Sequence, residues 1–416
     1  MKKYIFVTFP ITHAGGGQCY VAAKANYLES QGWSVSVFSS AVSRSIKRCV
    51  NPMLDKYMDG CIVSLFPPPS YYPVCMINRL LGKMYQIAGP KEEFEEIIVE
   101  SHDSATALWG ELLAEKYGAR HYNFLLNEHF RGKGIYYEAN MDFFLFKFQR
   151  KELLGNLTTF NRLFQGYRTV EKSDYPGELR TDEAPIQDIP SPIVDDIIRK
   201  DWNICYIGRG TKPYVENIII QVGDFASLYP DKSIQLLLVG DAECQRDTIN
   251  RVKIEHKNLS IVELGFLHPL PLKLYDKVDV VIAGSGSARH SAEIGAITIV
   301  ADTETKQSDG ILGYETLNSI YKSSDSVSTT FTDALKRVLV DKVYLKMENK
   351  FPKRKGVEWY VQYCFKLFSQ SEQKKEYYSY EKLTGGKTRW MQIISRYVSY
   401  FFHNETEWFA NLRKGK

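Results

Sequence analysis

Residues Tyr275–Ala301 read YDKVDVVIAGSGSARHSAEIGAITIVA, and the reading of this stretch decides the fold. Asp279 to Ala283 is a short, apolar, β-branched run, the pattern of a strand buried on both faces of a parallel sheet. Gly284-Ser285-Gly286-Ser287 interrupts it. A helix is expected from about Ala288 to Ile294, closed by Gly295 as the residue past the helix end. Ile297 to Ala301 then restores the strand pattern. The N–H groups of Ser287, Ala288 and Arg289 would open the helix without intrahelical partners, at the carboxyl edge of the sheet. Such a helix start suits an anion, most often phosphate. Glu293 lies two turns further on, about one residue off that face.

The same alternation extends in both directions. Upstream, strands are expected at Trp202–Ile207, Ile234–Val239 and Leu259–Leu264. Helices are expected at Val215–Tyr229, Cys244–Glu255 and near Leu270–Asp276. The first strand ends in Gly208-Arg209-Gly210-Thr211-Lys212, and the third in Gly265-Phe266-Leu267. The N-terminal half repeats the theme. A strand at Tyr4–Phe9 leads through Ala14-Gly15-Gly16-Gly17-Gln18 into a helix at about Cys19–Gln31, and Ser34–Phe38 follows as a strand. The consecutive glycines let backbone approach a ligand closely. They do not make a dinucleotide fingerprint, because Tyr20 stands where a third Gly is needed and Ser39-Ser40 where strand two should end in an acid. Two further strands end in Ser101-His102-Asp103 and Asn127-Glu128-His129, so His102 and His129 sit at ends where open α/β sheets bind ligands. Strands alternating with helices in both halves imply an α/β protein of two Rossmann-like, doubly wound domains facing a cleft.

Composition bounds the rest. The chain has 416 residues, 44% hydrophobic and 25% charged, with a net charge of +4, too small to argue for nucleic acid. Its seven cysteines are scattered without a CxxC pair, as expected of a reducing compartment and not of a zinc ribbon or disulfide scaffold. The N-terminal MKKYIFVTFPI reads as a first strand, since Pro10 interrupts its short apolar part. No uncharged apolar run approaches the ~18 residues of a membrane span. Asp182 to Pro192, polar with three prolines, is the linker candidate. The expected domains are 1–185, 193–345 and a helical tail, 346–416.

Taken in order, Gly208-Arg209 with Lys212, LLLVGD, VELGFL, DVVIAGS and the helix carrying Glu293 before AITIVAD resemble the donor domain of GT-B glycosyltransferases. The likeness is greatest to the retaining, family-4-like group of bacterial polysaccharide biosynthesis, which makes capsule and lipopolysaccharide. Two features depart from that pattern. Arg209 and Lys212 are three residues apart instead of about five, and Ser285 stands where the first of two paired glutamates would fall. The resemblance implies a peripheral or cytoplasmic hexosyltransferase, using a nucleotide diphosphate sugar as substrate and no cofactor. It implies that Arg209 and Lys212 stabilise the departing diphosphate, with His129 at the transferred sugar. It implies donor contacts from Gly16, Gly17, Gly208, Gly265, Leu267, Ser285, Gly286, Ser287 and Glu293. His102 and His129 would meet a glycan or lipid-linked acceptor. No Asp-x-Asp pair marks a metal, so metal independence is expected. A sugar-nucleotide epimerase on the same fold and a non-catalytic sugar-nucleotide binding protein are the alternatives.

From Lys350 onward basic residues exceed acidic ones by eight, interleaved with aromatics from Trp359 to Phe409. That pattern suits either an anionic membrane surface or terminal helices that cross back onto the first domain.

Overall fold

The first apolar run forms strand β1 (Lys2–Thr8), and its alternate residues enter two different cores. Tyr4 and Phe6 pack on one face of the sheet, Ile5 and Val7 on the other. Cover on both faces explains a sequence that is continuously apolar. This computed structural model describes residues 1–12, 15–40, 49, 51–62, 69, 72, 74–126, 141–179, 190–267, 270–319, 328–351, 355–372 and 374–379. The chain divides into two compact units, one of Met1–Asp182 with the described residues from Gly356 on, the other of Glu183–Lys355. Residues 346–355 thus fall in the second unit, not with the tail.

In the first unit β1 is followed by α1 (Gly16–Ser30), β2 (Ser34–Ser39), α2 (Val74–Ala88), β3 (Glu96–His102) and α3 (Asp103–Tyr117). Then come β4 (Arg120–Phe124), α4 (Met141–Gln149), β5 (Leu153–Leu154) and α5 (Leu157–Leu163). The sheet runs β2-β1-β3-β4-β5, all parallel. Strand order reverses between β1 and β3, where a doubly wound sheet opens its ligand crevice.

The second unit contains α6 (Pro192–Asp195), β6 (Trp202–Ile207), α7 (Val215–Leu228), β7 (Ile234–Val239), α8 (Arg246–Glu255) and β8 (Leu259–Gly265). It continues with α9 (Lys273–Asp276), β9 (Val280–Ala283), α10 (Ser285–Ile294), β10 (Thr298–Ala301), β11 (Ser308–Ile311) and α11 (Phe331–Leu335). The sheet order is β11-β10-β9-β6-β7-β8, parallel except for β11. This is the Rossmann order, and its reversal lies between β6 and β9. Both faces are covered: Ile204, Tyr206, Val280 and Ile282 pack on one side, Cys205, Ile207, Val281 and Ala283 on the other.

Helix α12 (Gly356–Phe368) returns to the first unit and packs beside α1. Tyr360, Val361, Cys364, Leu367 and Phe368 form its buried stripe at helical spacing. Phe368 stacks on Tyr122 with ring centroids 3.8 Å apart. Tyr360 and Phe368 are therefore core residues, and Trp359, Tyr363 and Phe365 pack partly buried against that core. The aromatics from Trp390 to Phe409 lie outside the described residues. No helix among the described residues is long and apolar enough to cross a membrane.

Candidate functional site

Ile207 of β6 pairs in register with Ala283 of β9, so the two loops that leave these strands, at Gly208 and Gly284, emerge side by side. The loops after β6, β7 and β8 are tied together by backbone hydrogen bonds. Gly208 N–H donates to the Val239 carbonyl (3.0 Å), Gly210 to Asp241 (2.8 Å) and Gly240 to Gly265 (2.7 Å). Gly240 has φ +124°, and a Cβ there would lie 2.0 Å from the Gly208 carbonyl oxygen. Gly240→Ala is expected to cost about 2 kcal/mol through this strain and contact. Urea unfolding checks it, and a change below a few tenths of a kcal/mol would refute it.

The α10 helix begins at Ser285, three residues before Ala288, where the sequence suggested. The reason is local. Gly284 caps the helix in an extended conformation, and Ser285 takes φ +53°, which turns the chain straight from strand into helix. Glycine-rich sequence reads as a breaker, but here it forms the first turn. The Ser285 N–H donates to the Ser319 carbonyl (2.7 Å). The first-turn donors are thus those of Gly286, Ser287 and Ala288, while the Arg289 N–H lies inside the i→i−4 ladder. A non-glycine residue at positive φ is strained, and such strain gathers at functional sites. The first unit has the same device, because Asp103 takes φ +54° at the start of α3. There the carboxylate of the residue accepts from the Leu126 N–H (2.9 Å). In the second unit the equivalent residue is a neutral serine.

Arg209 is exposed, and its backbone carbonyl accepts from the Tyr206 hydroxyl (2.9 Å) and the Lys212 N–H (3.1 Å). The turn carrying both cations is therefore fixed by its backbone. Beneath it, burial pushes the Tyr214 hydroxyl up to about 12, with Arg209 opposing and Asp302 reinforcing the shift. Gly265 (φ +68°) ends β8, three strand spacings, about 14 Å, from β9 along the same edge, with half-buried Leu267 just beyond. Glu293 is half-buried, eight residues or about 12 Å along α10 from Ser285. Gly208, Arg209, Ser285, Gly286 and Ser287 are brought to one point, Lys212 shares the turn, Gly265 and Leu267 share the edge, and Glu293 stands apart. Asp302 was not singled out from the sequence. It directly follows β10, whose Val300 pairs with Ala283 of β9, and its charge acts on the Tyr214 hydroxyl. An acid immediately after an apolar strand was the available signal. Among the described residues no group of three His, Cys, Asp or Glu side chains converges as a metal site would require.

In the first unit, α1 starts at Gly16, earlier than Cys19. Gly17 is required by packing, because a Cβ there would lie 2.0 Å from the Phe9 ring. His102 is 1% exposed, with Nδ1 2.6 Å from Thr8 Oγ1 and Nε2 2.8 Å from Glu100 Oε1. Both ring nitrogens are engaged internally, so His102 joins the ends of β1 and β3 and does not offer the exposed acceptor contact its position suggested. Glu100 also receives Tyr20 Oη at 2.8 Å, Lys24 Nζ at 2.5 Å and the Tyr4 hydroxyl. Burial alone would raise its pKa, but Lys24 and His102 hold it down at about 2. Ser101, His121 and Glu111 line up as hydroxyl, imidazole and carboxylate, yet none is more than 2% exposed, which leaves no access for a substrate. His129 lies outside the described residues.

No family model matches the chain, and no curated protein matches it in sequence. Solved structures do match. The UDP-GlcNAc 2-epimerase from Neisseria meningitidis bound to UDP-GlcNAc is 14% identical, over 89% of this chain and 100% of that one, with a TM-score of 0.51. A glycosyltransferase from Rickettsia africae is 14% identical over 89% and 94%, with a TM-score of 0.53. HepE from Anabaena, in complex with UDP and glucose, is 15% identical over 88% and 99%, with a TM-score of 0.52. At these identities the likeness is one of fold, and it agrees with the two parallel sheets found here: the chain has the two-domain, Rossmann-like GT-B fold.

Proposed function

We propose that the second unit binds a nucleotide diphosphate sugar and that the chain is a glycosyltransferase of surface polysaccharide synthesis. The observation that carries this reading is the pairing of β6 with β9, which puts the Arg209 turn beside the start of α10 at the strand-order reversal. A guanidinium and helix N–H groups converging on one point suit a diphosphate. In transfer, the bond from the anomeric carbon to the diphosphate oxygen breaks, and a bond to the acceptor hydroxyl oxygen forms. The nucleoside diphosphate leaves, and the acceptor proton is lost. Arg209, Lys212 and the α10 N–H groups stabilise the charge that grows on the leaving group. Gly265 to Leu267 would hold the base by backbone contacts, and Glu293 would accept ribose hydroxyls, so Glu293→Ala should raise the nucleotide dissociation constant.

The test is a thermal-shift screen against UDP, GDP, CMP and dTDP, each with and without magnesium. A ligand of the native state raises the melting temperature with occupancy. One diphosphate is expected to do so without magnesium, and no shift with any would defeat the reading. Epimerisation is the second reading, favoured by the likeness to the Neisseria enzyme. Incubation with nucleotide sugar alone separates the two, since an epimerase yields a second nucleotide sugar without acceptor. The basic, aromatic segment after Ser379 would suit a lipid-linked acceptor at the inner face of the cell membrane. Flotation with anionic liposomes tests that, full-length chain against one ending at Ser379.

A further inference from the structure

The loop that carries Arg209 starts and ends on a buried tyrosine. Tyr206, two residues before Gly208, and Tyr214, the cap residue of α7, are each 2% exposed. Their ring centroids are 6.4 Å apart, with the planes at 74°. Phenylalanine would fill the same space, so the hydroxyl groups need a separate reason. Each of them stands against a glycine. A Cβ at Gly208 would lie 2.5 Å from Tyr206 Oη, and a Cβ at Gly284 would lie 2.7 Å from Tyr214 Oη. These two glycines directly follow β6 and β9, so one hydroxyl abuts the Arg209 turn and the other abuts the cap of α10. The Tyr206 hydroxyl donates to the Arg209 carbonyl at 2.9 Å. One residue further on, the Gly210 N–H donates to the Asp241 carbonyl (2.8 Å), and the Gly210 carbonyl accepts from Gln245 Nε2 (2.9 Å). Burial pushes both tyrosine hydroxyls up in pKa, so Tyr206 keeps the proton it donates.

We infer that Tyr206 is a positioning residue for the anion site, its hydroxyl setting the place of Arg209 relative to the start of α10. That role rests on the nucleotide-diphosphate reading. The bond from Tyr206 ends on the backbone of the very residue whose guanidinium meets the ligand. An exposed arginine side chain has many rotamers, and a two-pronged contact with phosphate oxygens needs its base held still. The reference point is the neighbouring strand. Tyr206 pairs in register with Ile282, two residues before Gly284, and Tyr214 packs edge-on against its ring with its own hydroxyl at Gly284. The Arg209 carbonyl is thus hung from a ring that the α10 side of the site locates. Tyr206 acts through Arg209 and is not itself a ligand contact.

Tyr206→Phe keeps the ring and removes the bond to Arg209. Calorimetry with whichever of UDP, GDP and dTDP stabilises the wild-type chain reads a double-mutant cycle of Tyr206→Phe with Arg209→Ala. Alone, Tyr206→Phe is expected to weaken the diphosphate about five- to tenfold, the effect of one hydrogen bond. In the Arg209→Ala background it should change the affinity by less than about twofold, because no guanidinium is left to position. The salt dependence of binding to Tyr206→Phe should also fall toward that of Arg209→Ala. A merely structural role would lower the affinity by the same factor in both backgrounds, and that result overturns the inference. So does an unchanged affinity in Tyr206→Phe alone. If a diphosphate binds the wild type and Tyr206→Phe equally, the positioning role fails while nucleotide binding stands. If none binds the wild type, the nucleotide reading has failed first and the role falls with it.

Discussion

Glu100→Ala is expected to destabilise the first unit by about 3–5 kcal/mol, because it strands a buried ammonium. Lys24 is 1% exposed, and its Nζ lies 4.8 Å from the Phe124 ring centroid, 4.9 Å from Tyr4, 5.6 Å from Tyr20 and 5.8 Å from Tyr360. Ring faces attract a cation, but at roughly 0.5–2 kcal/mol each they do not replace its carboxylate. His102 loses the same partner. Urea unfolding followed by the fluorescence of Trp109, fully buried in this unit, measures the cost. Lys24→Met with Glu100→Leu removes both charges together and should recover most of the loss. A variant as stable as wild type would show that Glu100 is not ionised. The same group predicts acid lability. In the folded chain Glu100 and Glu111 both titrate at about 2: burial raises them, but Lys24 with His102, and Lys147 with His121, lower them further. Both are depressed from an ordinary value of 4.5. Their stabilisation is fully present above about pH 4.5 and is lost as pH falls toward 2. Glu100→Gln should flatten that part of the pH profile.

None of this cluster is visible in sequence. Glu100 sits inside an apolar strand run and Lys24 inside a helix, 76 positions apart, and only the pairing of β1 with β3 brings them together. His102 was legible as a residue at a strand end, but not as one turned inward, since strand ends carry ligand contacts and interstrand ties alike. By contrast Trp202–Ile207 and Ile234–Val239 are strands to the residue, because a continuous apolar run ended by glycine leaves little choice. The helix start at Ser285 escaped because its conformation is rare for serine and no propensity encodes it. The aromatics from Trp359 to Phe368 allowed two readings, a membrane surface or packing on the first domain. A stripe at 360, 361, 364, 367 and 368 faces a core as readily as a membrane, and α1 decides between them. For the candidate site, the strand-and-loop order located Gly208, Arg209 and Ser285, and the pairing of β6 with β9 brings them side by side.

Arg209→Ala is expected to weaken nucleoside diphosphate binding by about 10–100-fold while leaving the fold intact. The magnitude follows from a hydrogen bond to a charged group, roughly 1.5–3 kcal/mol. By comparison, an exposed helix start contributes about 0.3–1 kcal/mol, so the arginine dominates. The selectivity follows from where the side chain sits. Arg209 is exposed, and what holds its turn is its backbone carbonyl, which takes the Tyr206 hydroxyl and the Lys212 N–H. Removing the guanidinium leaves those bonds in place, so the melting temperature of the free protein should not move. Arg209→Lys keeps the charge but loses the two-pronged geometry and should fall between. Raising the salt concentration should weaken wild type more than the alanine variant, because the lost term is electrostatic. Calorimetry with the stabilising diphosphate reads all three proteins. Equal dissociation constants across them would remove Arg209 from the site and leave Lys212 and the start of α10 as its anion contacts. A loss confined to alanine, with lysine equal to arginine, would mean that charge alone is recognised. The graded order, arginine over lysine over alanine, is what a paired set of phosphate oxygens at the β6–β9 junction requires.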